Sequence, residues 1–181
     1  MSEILKALYE GDESRVAVLL AEDPELDVFE AAALGRTELV AAHLDADATL
    51  AAAFGPGGFT PLHLAAFFRH PQTAQLLVER GAPVDAVARN EEIVVTPLHS
   101  AAAARQTETA GLLLERGADP NARQAGGFTP LHAAAQHGDA ALAELLIAHG
   151  ADPAAAADDG RTAAAFAREG GFEELAARLA S

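Results

Sequence analysis

Histidine, arginine and phenylalanine are the residue types here whose placement could support chemistry or recognition. Three histidines close the same tetrapeptide: Thr60-Pro61-Leu62-His63, Thr96-Pro97-Leu98-His99 and Thr129-Pro130-Leu131-His132. Three imidazoles suggest zinc, which needs its ligands about 2 Å from one ion. Their offsets of 36 and 33 residues instead put them in successive copies of a repeated unit, where equivalent positions of stacked layers stand about 10 Å apart. That geometry assigns them a structural role. His132 and His137 lie five apart, a poor spacing for one helix face, and no carboxylate completes a zinc motif around them. The four serines (Ser2, Ser14, Ser100, Ser181) form no Gly-x-Ser-x-Gly elbow, and there is no cysteine, so neither hydroxyl nor thiolate chemistry has a candidate. Gly55-Pro56-Gly57-Gly58 and Gly126-Gly127 are turn formers rather than phosphate cradles. No catalytic residue, cofactor or metal site is expected.

Elements able to position these residues must be built from small side chains. Of 181 residues 46 are alanine, with eight Phe, one Tyr and no Trp. A length of 181 residues suits one domain or one repeat array. The net charge of −15 opposes binding to nucleic acid or to anionic membranes, both of which require phosphate to be neutralised by Lys and Arg. Apolar runs such as Thr49 to Phe54 and Ala154 to Ala157 fall far short of the roughly 20 residues that span a bilayer, and the acidic start is unlike a secretory signal. A cytoplasmic protein is therefore expected.

Internal repetition decides the architecture. After each Thr-Pro-Leu-His comes an alanine pair (Ala65-Ala66, Ala101-Ala102, Ala134-Ala135). A leucine-rich segment follows (Gln75 to Val78, Gly111 to Leu114, Glu144 to Ile147), then a closing Gly-Ala turn at Gly81, Gly117 or Gly150. Thr suits the N-cap, Pro the first helical turn, and the closing glycines the left-handed conformation that ends a helix. Weaker copies put Leu5, Phe29 and Ala165 in the His column, each with Gly six positions on.

This pattern resembles the ankyrin repeat, in period and in its Thr-Pro-Leu-His-x-Ala signature. The resemblance implies an all-α repeat solenoid, an array of about six helix pairs with short β-hairpin-like fingers. The division it gives is residues 1–24 as an N-terminal cap helix pair, 25–58 as a degenerate repeat, 59–94, 95–127 and 128–160 as repeats, and 161–181 as a C-terminal cap. The extra residues of the longer spacing fall near residues 90–95. Each motif His should bond back to its capping Thr and to the neighbouring repeat's backbone. Alanine beyond the paired column, at Ala51 to Ala53 and Ala154 to Ala157, answers to no packing rule.

In this family fingertips and first helices form a concave groove that binds proteins. The residue before each capping Thr is Phe59, Val95, Phe128 or Arg161; the pair after the alanines is Phe67-Phe68 or Gln136-His137; Arg69 and Arg105 replace a motif glycine; and Arg89 and Arg123 fall on fingers. Arg and aromatic residues are enriched at binding hot spots. These twelve positions are the expected protein-binding face of a non-catalytic, monomeric interaction scaffold. The alternatives are an Arg-lined site for a small anionic ligand and a rigid spacer in a larger assembly.

Overall fold

The computed structural model describes residues 1–89 and 94–180. Twelve α-helices occur among them: α1 (Glu3–Glu10), α2 (Glu13–Ala21), α3 (Val28–Ala33), α4 (Thr37–Ala46), α5 (Pro61–Phe67), α6 (Pro71–Glu79), α7 (Pro97–Ala103), α8 (Thr107–Glu115), α9 (Pro130–Gln136), α10 (Ala140–Ala148), α11 (Ala163–Glu169) and α12 (Glu173–Leu179). Helices this short are marginal alone, so packing must hold them. Odd-numbered helices stack as one layer, and α4, α6, α8 and α10 form a second layer behind them. The result is an all-α repeat array in which each pair touches its neighbours. None of the helices is long and apolar enough to cross a membrane.

Alanine makes the first layer thin. The pairs Ala31-Ala32, Ala65-Ala66, Ala101-Ala102 and Ala134-Ala135 are completely buried where successive first helices meet, and Leu77, Leu113 and Leu146 fill the space behind them. One apolar core runs from Val28 to Leu179. The alanines between repeats are better placed than the sequence suggested. Ala48–Ala52 is a 3-10 helix, and Ala51 and Ala157 are buried members of the core, so two of those positions have a packing reason to be small. At the amino-terminal end, α2 buries none of its residues and leaves Val18 exposed.

The motif histidines tie the pairs together. The His63 Nδ1 accepts from the Thr60 N–H (3.3 Å) and its Nε2–H donates to the Val95 carbonyl (3.1 Å). His99 does the same between Thr96 and Phe128, and His132 between Thr129 and Arg161. Both ring nitrogens are thus used, and each imidazole is a neutral strut linking a helix N-terminus to the next finger. Burial of that neutral ring pushes His63 down to about 4 and lowers His99 and His132 as well.

Among the described residues no β-strand forms. At the finger bases Gly55 N–H donates to the Phe59 carbonyl, Ala88 N–H to Val95, Gln124 N–H to Phe128 and Ala157 N–H to Arg161, and a turn bond sits inside three of them, from Gly58 to Gly55, Gly127 to Gln124 and Gly160 to Ala157. Such short Gly- and Ala-rich arms do not extend into a ladder; the nearest approach is an isolated bridge between Ala156 and Thr162. Most of the segment expected to lengthen one finger, residues 90–93, lies outside the described residues.

Candidate functional site

The side formed by the first helices and the fingers carries two recesses, with Gln124 lining both. The first, about 260 Å³, is lined by Tyr9, Phe59, His63, Phe67, Val95, His99, Ser100, Ala103 and Gln124. Its origin is a loss of bulk in one helix. Position by position along the first helices, α5 contributes Leu64 and Phe67 where α7 contributes only Ser100 and Ala103. The missing side chains leave a pit against an aromatic wall.

That wall is a cluster. The Tyr9 ring lies 5.7 Å from Phe67, 5.0 Å from Phe68 and 6.4 Å from Phe59, and Phe67 meets Phe68 edge-on at 5.2 Å. Tyr9 is on α1, two layers from α5. It reaches across because the intervening helix offers Ala33, buried with Leu5 and Leu64 beneath the rings. Burial pushes the Tyr9 phenol up to about 12. Phe59 and Phe68 are half-buried and anchor the cluster, whereas Phe67 remains 40% exposed. Only one of the adjacent pair Phe67-Phe68 therefore presents its ring to solvent.

The second recess, about 540 Å³, is lined by Phe128, Gln136, Arg161, Phe166 and Glu169, among others. Here the interacting groups already have partners. Arg161 bonds Asp159 (2.8 Å) and Glu169 (2.7 Å), and its guanidinium lies 4.1 Å over the Phe166 ring. The two carboxylates hold the Arg161 pKa above its ordinary value, and Arg161 in turn lowers that of Asp159. Phe128 packs against Phe166 at 5.2 Å and His132 at 5.8 Å.

The remaining sequence-derived positions scatter. Arg123 on its finger bonds the Ala156 carbonyl (3.0 Å) and Asp158 (3.2 Å). Arg89 lies 4.1 Å over the Phe54 ring. Arg69 and Arg105 stand at the turns after α5 and α7, exposed, and His137 caps α9, exposed as well. So the row expected as one continuous face divides: Phe59, Phe67 and Val95 share the pit, Phe128, Gln136 and Arg161 share the second recess, and Arg89 and Arg123 line neither.

Sequence reasoning missed Tyr9, Gln124 and Phe166, whereas Ala103 stands in the column after the alanine pairs that the sequence already marked as exposed. Tyr9 had a signal, because it stands four residues after Leu5 just as Phe67 stands four after His63. The shared column was legible. Its contact with Phe67 across an intervening helix was not, since that depends on Ala33 being thin.

A family model described as ankyrin repeats matches the chain with three copies, over residues 4–124 and 98–181. No curated protein matches it. With the Thr-Pro-Leu-His struts, the buried alanine pairs and the stacked helix pairs in place, and with most of its length matched, the chain belongs to the ankyrin repeat family.

Proposed function

We propose that this ankyrin-repeat array binds a partner protein through its concave face and catalyses nothing. Ankyrin repeats generally serve as protein–protein interaction modules. The observation that carries the proposal here is the pit: an aromatic wall of Tyr9, Phe59 and Phe67 beside the small residues Ser100 and Ala103. A half-exposed aromatic in a preformed recess is the composition of a binding hot spot, and a rigid scaffold loses little ordering entropy on association. The anionic-ligand alternative is weakened, since Arg123 and Arg161 are already paired with carboxylates.

Affinity capture from the native lysate tests this, with wild type beside Phe67→Ala/Arg105→Ala and beside Val18→Ser on α2, an exposed apolar residue that lines neither recess. Proteins retained by wild type and Val18→Ser but lost from the groove variant, at unchanged helical content, are the expected outcome. Equal retention by all three would remove the groove. A thermal-shift screen with carboxylate and phosphate metabolites addresses the alternative, because a specific ligand must raise the melting temperature.

A further inference from the structure

The turn between the two helices of each pair passes through one left-handed residue, in register along the array. Four of the six are glycine: Gly11 (φ 69°), Gly35 (67°), Gly138 (65°) and Gly171 (80°). The other two, next to each other in the middle, are Arg69 (φ 68°) and Arg105 (φ 58°). An L side chain is strained there, and arginine gains nothing from the turn itself. Strain held at adjacent positions points to a use for the side chains.

The surroundings leave room for a side chain there, as they do over Gly11 and Gly171 but not at the other two glycine turns. Over Gly35 lies the ring of His70, and over Gly138 the ring of Phe172, each so close that a Cβ would collide. The residues in the matching place beyond Arg69 and Arg105 are Gln106 and Asp139. Neither has a ring, and Gln106 turns away to the Ala104 carbonyl (3.4 Å). Both arginines have room at their turns, and the fold makes little use of them. Arg69 has no hydrogen bond or ion pair among the described residues. Among the described residues Arg105 has one ion pair, a long one at 3.9 Å to the Asp139 Oδ2, while the Asp139 Oδ1 accepts from the Leu142 N–H.

Both arginines follow the pit closely in sequence: Phe67 of its wall is two residues before Arg69, and Ala103 of its floor two residues before Arg105. An apolar pit on the side-chain scale thus has two guanidiniums a short way along the chain from it, Arg69 with no ion pair among the described residues and Arg105 held only loosely by Asp139. Two acids of α1 are themselves engaged, Glu3 by Lys6 and Arg15 and Glu10 by Arg15, and charges farther off than about 8 Å are screened at physiological salt. Resting on the groove reading above, we propose that the pit takes one bulky apolar side chain from a partner polypeptide, and that acidic residues beside that anchor pair with Arg69 and Arg105. Guanidinium–carboxylate pairing is bidentate and directional, so the two arginines select an acidic flank as well as adding affinity.

A random dodecapeptide phage library selected on the full chain tests this, with counter-selection on Ala103→Phe, which fills the pit. Enriched peptides should share one Leu, Ile, Phe or Trp with Asp or Glu within two residues of it. Synthetic copies, titrated by calorimetry, should bind Arg69→Gly/Arg105→Gly at least tenfold more weakly and lose measurable binding to Phe67→Ala. The double glycine variant should melt no lower than wild type, which separates lost pairing from lost folding. Peptides without an acidic flank, or peptides that need Phe67 but are indifferent to the glycine variant, overturn this inference and leave the groove standing. Enrichment indifferent to Phe67, or no enrichment, overturns both.

Discussion

The two recesses of the concave face are made of similar residues put to opposite use. In the carboxy-terminal one Arg161 is held by Asp159, Glu169 and the Phe166 ring, and Phe128 is stacked on Phe166. In the central one Phe67 faces solvent, and Arg69, two residues beyond it in the chain, has no partner among the described residues. The difference lies in what the next layer supplies. α11 offers Phe166 and Glu169, and α7, at the same two positions, offers Ser100 and Ala103. Composition alone therefore does not mark a binding surface; an aromatic or arginine is available to a partner only when its neighbour fails to absorb it.

The largest effect that can break this comparison is on stability. Phe166 is 5% exposed and supports Phe128, His132 and Arg161, so Phe166→Ala should cost about 3–5 kcal/mol, as for other buried aromatics. Phe67→Ala, at a half-exposed edge, should cost less than about 1 kcal/mol while removing partner binding. Urea denaturation of the two variants measures both. Equal losses would mean that Phe67 belongs to the core and is not on offer.

A pH titration sharpens the contrast between the central repeats, which carry His struts, and the first two and last pairs, which have Leu5, Phe29 and Ala165 in that column. The folded chain holds His63 at about 4, His99 and His132 being lowered in the same direction. The unfolded chain takes up these protons near pH 6.5. Stability is therefore complete above about 6.5 and declines as pH falls toward 4, by on the order of 3 kcal/mol for His63 alone. Denaturation midpoints measured from pH 7.5 to 4.5 should fall, and the His63 ring should remain neutral by NMR at pH 5.5. A ring that titrates near 6.5 would refute the strut.

Much of this was open to inspection in the sequence. Periodicity pointed to the family and the helix pairs, because each repeats a local rule of capping and of small-residue packing, and the resemblance to the family implied the His bonds. Finger structure was not legible. A turn with few backbone bonds rather than a ladder depends on how closely the arms approach, and the Thr-Pro-Leu-His motif does not encode that. The division of the groove was hidden for a related reason. Arg161 and Arg105 look alike as residues beside a motif, and only Phe166, Asp159 and Glu169 distinguish them by occupying the first. The departures from consensus at Arg69 and Arg105 were visible as letters, but their left-handed backbone gives the departure its energetic meaning.

Restoring the consensus at those two positions is the next smaller effect. Arg69→Gly and Arg105→Gly should each raise stability by about 1 kcal/mol through relief of the left-handed strain. The reverse exchange, Gly138→Arg, should cost more than that, because the Phe172 ring occupies the space its Cβ would need. Melting temperatures of the three variants check the pair of expectations together. A loss on Arg→Gly would show that the side chains are used within the fold after all.

The smallest effect concerns the layer behind the pit. Thr73 on α6 is buried with its hydroxyl 2.8 Å from that of Thr37 on α4, so the polar group has a partner. Thr109 occupies the equivalent place on α8, completely buried, and its Oγ1 has no partner among the described residues. An orphaned buried hydroxyl costs about 1 kcal/mol or more, and replacing it with a methyl group of the same shape removes that cost. Thr109→Val should therefore raise stability by up to about 1 kcal/mol, whereas Thr73→Val, which strands Thr37, should lower it. Opposite signs from one chemical change at two matching positions are the expected outcome of parallel urea titrations. The same sign at both would mean that Thr109 is satisfied, and that the layer behind the pit carries no strain of its own.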